Sequence, residues 1–200
     1  MKNLILYTGL ITIILVGCSP TKDEFVPTLP PITQTGENTF GCYVNGVLIT
    51  PRDGSGTFNV RDPGMSFIAG PDPNNIIYNE IKVYDFASER TARITLHIHE
   101  LDSIGVGEYP VGISNCMGNI NSPLTNNIFC KIYDPTDGVY KEYCSFENSG
   151  IITITRYDSD IVSGTFSARI RNKNNNDEIV EITDGRFDID RSTVHYTSYP

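Results

Sequence analysis

In residues 92–98, Ile94, Leu96 and Ile98 fall on one parity while Arg93, Thr95 and His97 fall on the other. That period of two belongs to a half-buried strand and not to a helix. Residues 162–171 repeat it, with Val162, Gly164, Phe166, Ala168 and Ile170 opposite Ser163, Thr165, Ser167, Arg169 and Arg171. No window of twelve or more residues beyond Cys18 carries a helical period, so the chain is expected to be all-β, with about ten or eleven strands. Short strands at close spacing suggest an antiparallel β-sandwich, with a lipocalin-like β-barrel as the alternative.

Turn chemistry supports the same class. Asn45-Gly46 separates two apolar runs, and both residue types accept the positive φ that a type I′ hairpin turn demands. The run Asn172-Lys173-Asn174-Asn175-Asn176-Asp177 turns the chain after the second alternating strand. Beyond it Val180 and Ile182 share one parity, but Phe187 and Ile189 share the other. An inserted residue at Asp184-Gly185, a β-bulge, would restore a common face.

The N-terminus gives an address. The apolar run from Leu4 to Val16 follows Lys2 and is well short of the roughly 20 residues that span hydrocarbon. It closes on Leu15-Val16-Gly17-Cys18, which resembles the lipobox of a bacterial lipoprotein. The resemblance implies a signal peptide over 1–17, removed to leave a mature protein that begins at diacylated and N-acylated Cys18. Several acyl chains would hold it firmly to a membrane. The Lys22-Asp23-Glu24 cluster resembles the signal that sends lipoproteins of the Bacteroidota to the outer face of the outer membrane; the periplasmic face is the alternative. Residues 18–38 carry Pro20, Pro27, Pro30 and Pro31 without sustained period, and read as a flexible tether reaching roughly 25 Å. A single domain over 39–200 follows, about 160 residues, enough to bury a sizeable core.

Charge and cysteines agree with export. Lys2 is the one basic residue before Cys18 and no acid precedes it, so the rest keeps 14 basic against 24 acidic residues, a net of −10. Such a surface repels nucleic acid and anionic membrane at long range. Beyond Cys18 there are four cysteines, Cys42, Cys116, Cys130 and Cys144, in a compartment where disulfides persist. Three pairings are open. Cys130 and Cys144 flank the turn cluster Asp134-Pro135-Thr136-Asp137-Gly138, so a hairpin would set them opposite each other, leaving Cys42 with Cys116.

Asn38-Thr39-Phe40-Gly41-Cys42-Tyr43-Val44-Asn45-Gly46, Ile154-Thr155-Arg156, Ser163-Gly164-Thr165-Phe166 and Ile182-Thr183-Asp184-Gly185-Arg186-Phe187-Asp188-Ile189 resemble a family of uncharacterised Bacteroidota lipoproteins. These are framework motifs at both ends of the domain. The resemblance implies the architecture and carries no catalytic residue, cofactor or substrate.

Catalytic constellations are sparse. His97 and His99 would lie about 7 Å apart on one strand face, weak metal candidates that need a third ligand such as His195 or an acidic neighbour. The plainer reading is an exposed polar strand face. No Gly-x-Ser-x-Gly elbow occurs, and Gly54-Ser55-Gly56 and Gly105-Val106-Gly107 lack the context of a phosphate loop. Asp158-Ser159-Asp160 and Asp188-Ile189-Asp190 cluster oxygens without the ligand series of a calcium loop. No cofactor and no catalytic residue is assigned.

Binding is then the expected class. Tyr84, Tyr133, Tyr140 and Tyr143 could form an aromatic platform for a glycan, although the chain has no Trp. The loop Gly112 to Asn127 could contact a protein partner. Asp102-Ser103-Ile104 resembles an O-glycosylation motif of exported Bacteroidota proteins, which requires an exposed Ser103. The expected function is that of a non-enzymatic, lipid-anchored envelope protein at the cell surface, binding a protein or glycan. A structural or accessory component is the alternative, and a metal-dependent or carboxylate hydrolase the least favoured reading.

Overall fold

The computed structural model describes residues 25–58, 60–86 and 92–200. The signal segment, Cys18 and the Lys22-Asp23-Glu24 cluster lie outside the described residues. The described residues form ten strands: β1 (Thr39–Val44), β2 (Val47–Ile49), β3 (Met65–Pro71), β4 (Ile77–Asp85), β5 (Ala92–His99), β6 (Gly107–Val111), β7 (Asn127–Asp134), β8 (Val139–Tyr157), β9 (Ile161–Asn172) and β10 (Asn175–Asp190). The described helices are short: α1 (Leu101–Ile104) and 3₁₀ turns at Asn119–Asn121 and Val194–Tyr196. Among the described residues no helix is long and apolar enough to cross a membrane.

The strands join in one antiparallel sheet, ordered β2-β1-β10-β9-β8-β7-β5-β4-β3, with β6 on β8. It is not closed into a barrel, which sets aside the lipocalin-like alternative. Instead the sheet wraps round a single core that takes Phe40 and Cys42 from β1, Ile81 and Val83 from β4, Ile94, Leu96 and Ile98 from β5, and Ile170 from β9. Past β2 the chain reaches the opposite end of the sheet. There Arg52 N–H donates to Tyr84 O at 3.0 Å, and its guanidinium grips buried Asp85 at 2.6 and 2.7 Å. This bridge and ion pair, with the Val194–Tyr196 turn packed on β3, link the two ends.

Local chemistry sets the register. Asn45 and Gly46 have φ of 47° and 78°, the turn expected between β1 and β2. On β10 the pairs with β9 pass from Ile182↔Ala168 to Gly185↔Phe166, and those with β1 from Val44↔Ile182 and Tyr43↔Thr183 to Gly41↔Arg186. Both neighbours thus meet one extra residue on β10, with Asp184 at φ 54°. The bulge read from parity is present. Gly185 is required there because a Cβ would stand 2.5 Å from Phe166 O. A larger break on β8 advances five positions, Ser145 to Gly150, while β9 moves two, from Ile170 to Ala168. Past it, β6 replaces β7 along that edge of β8.

The domain begins earlier than residue 39. Thr33 Oγ1, Thr35 N–H and Gly36 N–H all donate to Asp188, at 2.7, 2.9 and 2.9 Å, and Ser163 Oγ donates at 2.7 Å. Burial by itself would raise the Asp188 carboxyl, but these hydrogen bonds outweigh it and hold it down at about 2. Residues 29–37 are therefore a strap on the sheet, and the tether reading of 18–38 fails for its second half. Prolines without period hide a segment whose anchors are its threonines.

The cysteine pairing also differs from expectation. Cys116 is bonded to Cys144, while Cys42 and Cys130 are free and buried. In the β7–β8 hairpin Cys130 faces Tyr143, and Cys144 faces Phe129. A register one residue away from Cys130↔Cys144 puts the two sulfurs on opposite faces of the sheet. Cys130 enters the core, and Cys144 faces outward to meet Cys116.

Candidate functional site

The outward face of β4, β5, β7 and β8 divides into two halves built from the same strands. In the half nearer His97, Glu80↔His97 and Tyr78↔His99 are cross-strand pairs. His97 Nδ1 lies 2.9 Å from Glu80 Oε1, Lys82 Nζ lies 3.0 Å from Oε2, and the Asn119 amide donates to Oε1 at 2.5 Å. His99 Nε2 lies 3.0 Å from Asp72 Oδ2. Burial alone would raise Glu80, but the hydrogen bonds from His97, Lys82 and Asn119 prevail and lower it. Burial opposes and the His99 contact and the amides of Ile76 and Asn74 favour the same lowering of Asp72. Since both carboxyls are ionised acceptors, the imidazole protons sit on His97 Nδ1 and His99 Nε2.

This half is roofed. The loop following β6 is fastened by the Cys116–Cys144 bond, by Ser114 N–H to Ser145 O at 3.0 Å, and by Asn126 Oδ1 accepting the His99 amide at 2.9 Å. Thr95 and His97 are consequently 1% and 2% exposed, so the exposed strand face expected at His97 is a buried one. The imidazoles address different carboxylates. His195 is exposed on the Val194–Tyr196 turn and joins neither pair. Among the described residues no group of three or more His, Cys, Asp or Glu is arranged to hold a metal. The loop 112–127, expected to reach a partner, bonds several of its polar groups to the protein itself and leaves Ile113, Met117, Ile120 and Leu124 exposed.

Among the described residues no loop covers the other half. Tyr84 and Phe86 stack at 5.1 Å with planes 4° apart, and the Arg93 guanidinium lies 4.4 Å over the Tyr84 ring. Across β7 and β8, Tyr133 and Tyr140 meet edge to face at 5.3 Å, with Lys131 Nζ 5.6 Å from the Tyr140 ring. Tyr84, Phe86, Arg93, Lys131 and Tyr140 line a groove of about 230 Å³. Phe86 is 39% and Tyr140 50% exposed. Strand parity explains the membership: Tyr84↔Arg93, Arg93↔Lys131 and Tyr133↔Tyr140 are directly paired. Three of the four tyrosines named from sequence are brought together. Tyr143 is not, since three positions from Tyr140 on a strand reverses its face. It is buried and donates to Glu178 at 2.5 Å. Phe86, Arg93 and Lys131 were missed as site residues, although the i, i+2 spacing of Tyr84 and Phe86 was a usable signal.

A second recess of about 340 Å³ opens between the β1–β2 and β7–β8 hairpins, with Val44, Ile49, Ile132 and Val180 in its wall. Lys141 on its rim lies 2.8 Å from Asp134 and 3.2 Å from Asp137. The Lys141 contact, helped by the Thr136 amide, holds Asp134 down at about 2. His97 and His99 line neither recess. The two acidic clusters considered for calcium are occupied by protein donors: Asp158 accepts from Arg156 at 2.7 Å and from the Asp160 and Ile161 amides, and Asp188 holds the strap. Ser103 is exposed on α1, as its proposed modification requires.

No protein-family model, no curated protein and no solved structure matches this chain.

Proposed function

We propose that this chain is a lipid-anchored envelope protein, displayed at the cell surface, that binds a glycan through the open aromatic half of its outer sheet face without catalysing a reaction on it. The observation that carries the reading is the groove between the Tyr84–Phe86 stack and Tyr140. Sugar rings present flat C–H faces to such rings, and strands β4 and β8 hold Tyr84 and Tyr140 in place for stacking. His97 and His99, which an enzyme reading would recruit, are spent on the buried carboxylates Glu80 and Asp72. The lipobox ending at Cys18 supports the anchor, and the framework motifs resemble those of Bacteroidota lipoproteins.

Two experiments test the reading. Cys18→Ala should move the protein from the membrane to the soluble fraction; a variant still wholly in the membrane fraction would refute the anchor. The full chain, solubilised in detergent, should show signal on an array of bacterial and plant glycans. An array without signal would leave the accessory-component reading in its place.

A further inference from the structure

We propose that the ligand of this face is an acidic glycan, one whose sugars carry carboxylates, recognised by a row of cations that continues the aromatic groove across the sheet. The inference rests on the glycan reading above and names its chemical class. Ladder pairing sets Tyr84 beside Arg93, Arg93 beside Lys131, and Lys131 beside Glu142. Lys173, on the turn that ends β9, reaches Glu142 from the other side at 3.0 Å. Four strand spacings make this row about 19 Å long, the dimension of an extended oligosaccharide rather than of one sugar. Arg171 stands one row away, over Phe146 at 4.3 Å, on the shallow recess that also holds Lys173.

Charge singles out this strip. The chain is acidic, with a net of −9, yet among the described residues Arg93, Lys131, Arg171 and Lys173 lie here with Glu142, with Glu147 at the far rim, and with Asp85, which Arg52 already pairs. Most other cations of the molecule are matched: Arg52 by Asp85, Lys141 by Asp134, Arg156 by Asp158. Arg93 is exposed and has no carboxylate partner among the described residues, and buried Arg171 Nε has no hydrogen-bond partner. A planar guanidinium on an aromatic ring is suited to a bidentate carboxylate. The ring of Tyr84 at one end of the row and the cations beyond it would stack a sugar face and pair acid groups along the same chain.

The test uses calorimetry on the full chain in detergent with polygalacturonate, hyaluronan, neutral dextran and a single-stranded oligonucleotide as probes. The proposal expects both uronate polymers to bind at least about tenfold more tightly than dextran, and to weaken several-fold as salt rises from about 50 to about 200 mM. Arg93→Gln and Lys131→Gln should each weaken uronate binding by about threefold or more without moving the urea midpoint. Dextran binding as tightly as the uronates, or array signal for neutral glycans alone, would overturn the acidic class while leaving the glycan reading standing. Binding of the oligonucleotide as tight as that of the uronates would replace a carboxylate-sugar site by a general polyanion patch. Silence toward every probe and on the array would overturn both readings.

Discussion

The two halves of the outer face share strands β4, β5, β7 and β8 and the same alternation of residues, yet one is roofed and the other open. At Glu80 the buried carboxylate pairs with His97 and with a loop amide; at Phe86 and Tyr140 the rings are exposed. The difference teaches that a polar residue on the outward parity of a strand is not thereby a surface residue. What decides is whether a distant segment is fastened above it. Here the fastening is covalent, Cys116 to Cys144, and in the covered half Glu80 gathers His97, Lys82 and the Asn119 amide, whereas the open half keeps rings and an Arg93 with no carboxylate partner among the described residues.

The sharpest way to break this contrast is to remove the carboxylate under the roof. Glu80→Ala leaves His97, Lys82 and the Asn119 amide without their acceptor in a buried site, and should cost about 3 to 5 kcal/mol in urea unfolding. A variant within about 1 kcal/mol of the parent would show that the roofed cluster is not structural.

Opening the roof should cost less. The Cys116–Cys144 bond spans a sequence separation of 28, so Cys116→Ser with Cys144→Ser should lose about 2 to 4 kcal/mol. Hydrogen exchange should rise over 112–126 and at His97 while Tyr84 and Tyr140 stay unchanged. Peptide mapping without reduction should find Cys116 joined to Cys144, with Cys42 and Cys130 as thiols. Burial raises both thiols far above their ordinary range, so neither should alkylate before unfolding. Recovery of a Cys130–Cys144 peptide would contradict the register.

Acid titration gives a smaller effect. Asp188 has its carboxyl lowered from 3.8 to about 2, so its contribution is complete above pH 4 and disappears as pH falls through 2. That contribution is about 2 kcal/mol. Glu80 and Asp72, lowered as well, act with the same sign. An Asp188→Asn variant should flatten this acid limb, and an unchanged limb would show that the strap does not depend on the charge.

Much of the framework was legible in the sequence because it is local. The alternation in β5 and β9, the Asn45-Gly46 turn and the Asp184-Gly185 bulge each depend on neighbours a few positions away. The cysteine pairing was not, because a slip of one residue in hairpin register sends Cys130 and Cys144 to opposite faces. The roof over His97 was hidden for another reason: it is made by a loop more than fifteen positions on, whose composition reads as free. The aromatic site was half legible. Three tyrosines were in view, but grouping them with Phe86, Arg93 and Lys131 requires the strand order β4-β5-β7-β8.

The central claim, that the open half binds while the roofed half supports, is tested most directly by Phe86→Ala with Tyr140→Ala, assayed for glycan-array signal beside urea unfolding. The account predicts that the signal is lost while stability changes by less than about 1 kcal/mol, since both rings are already partly exposed. Full signal from the double variant would contradict it.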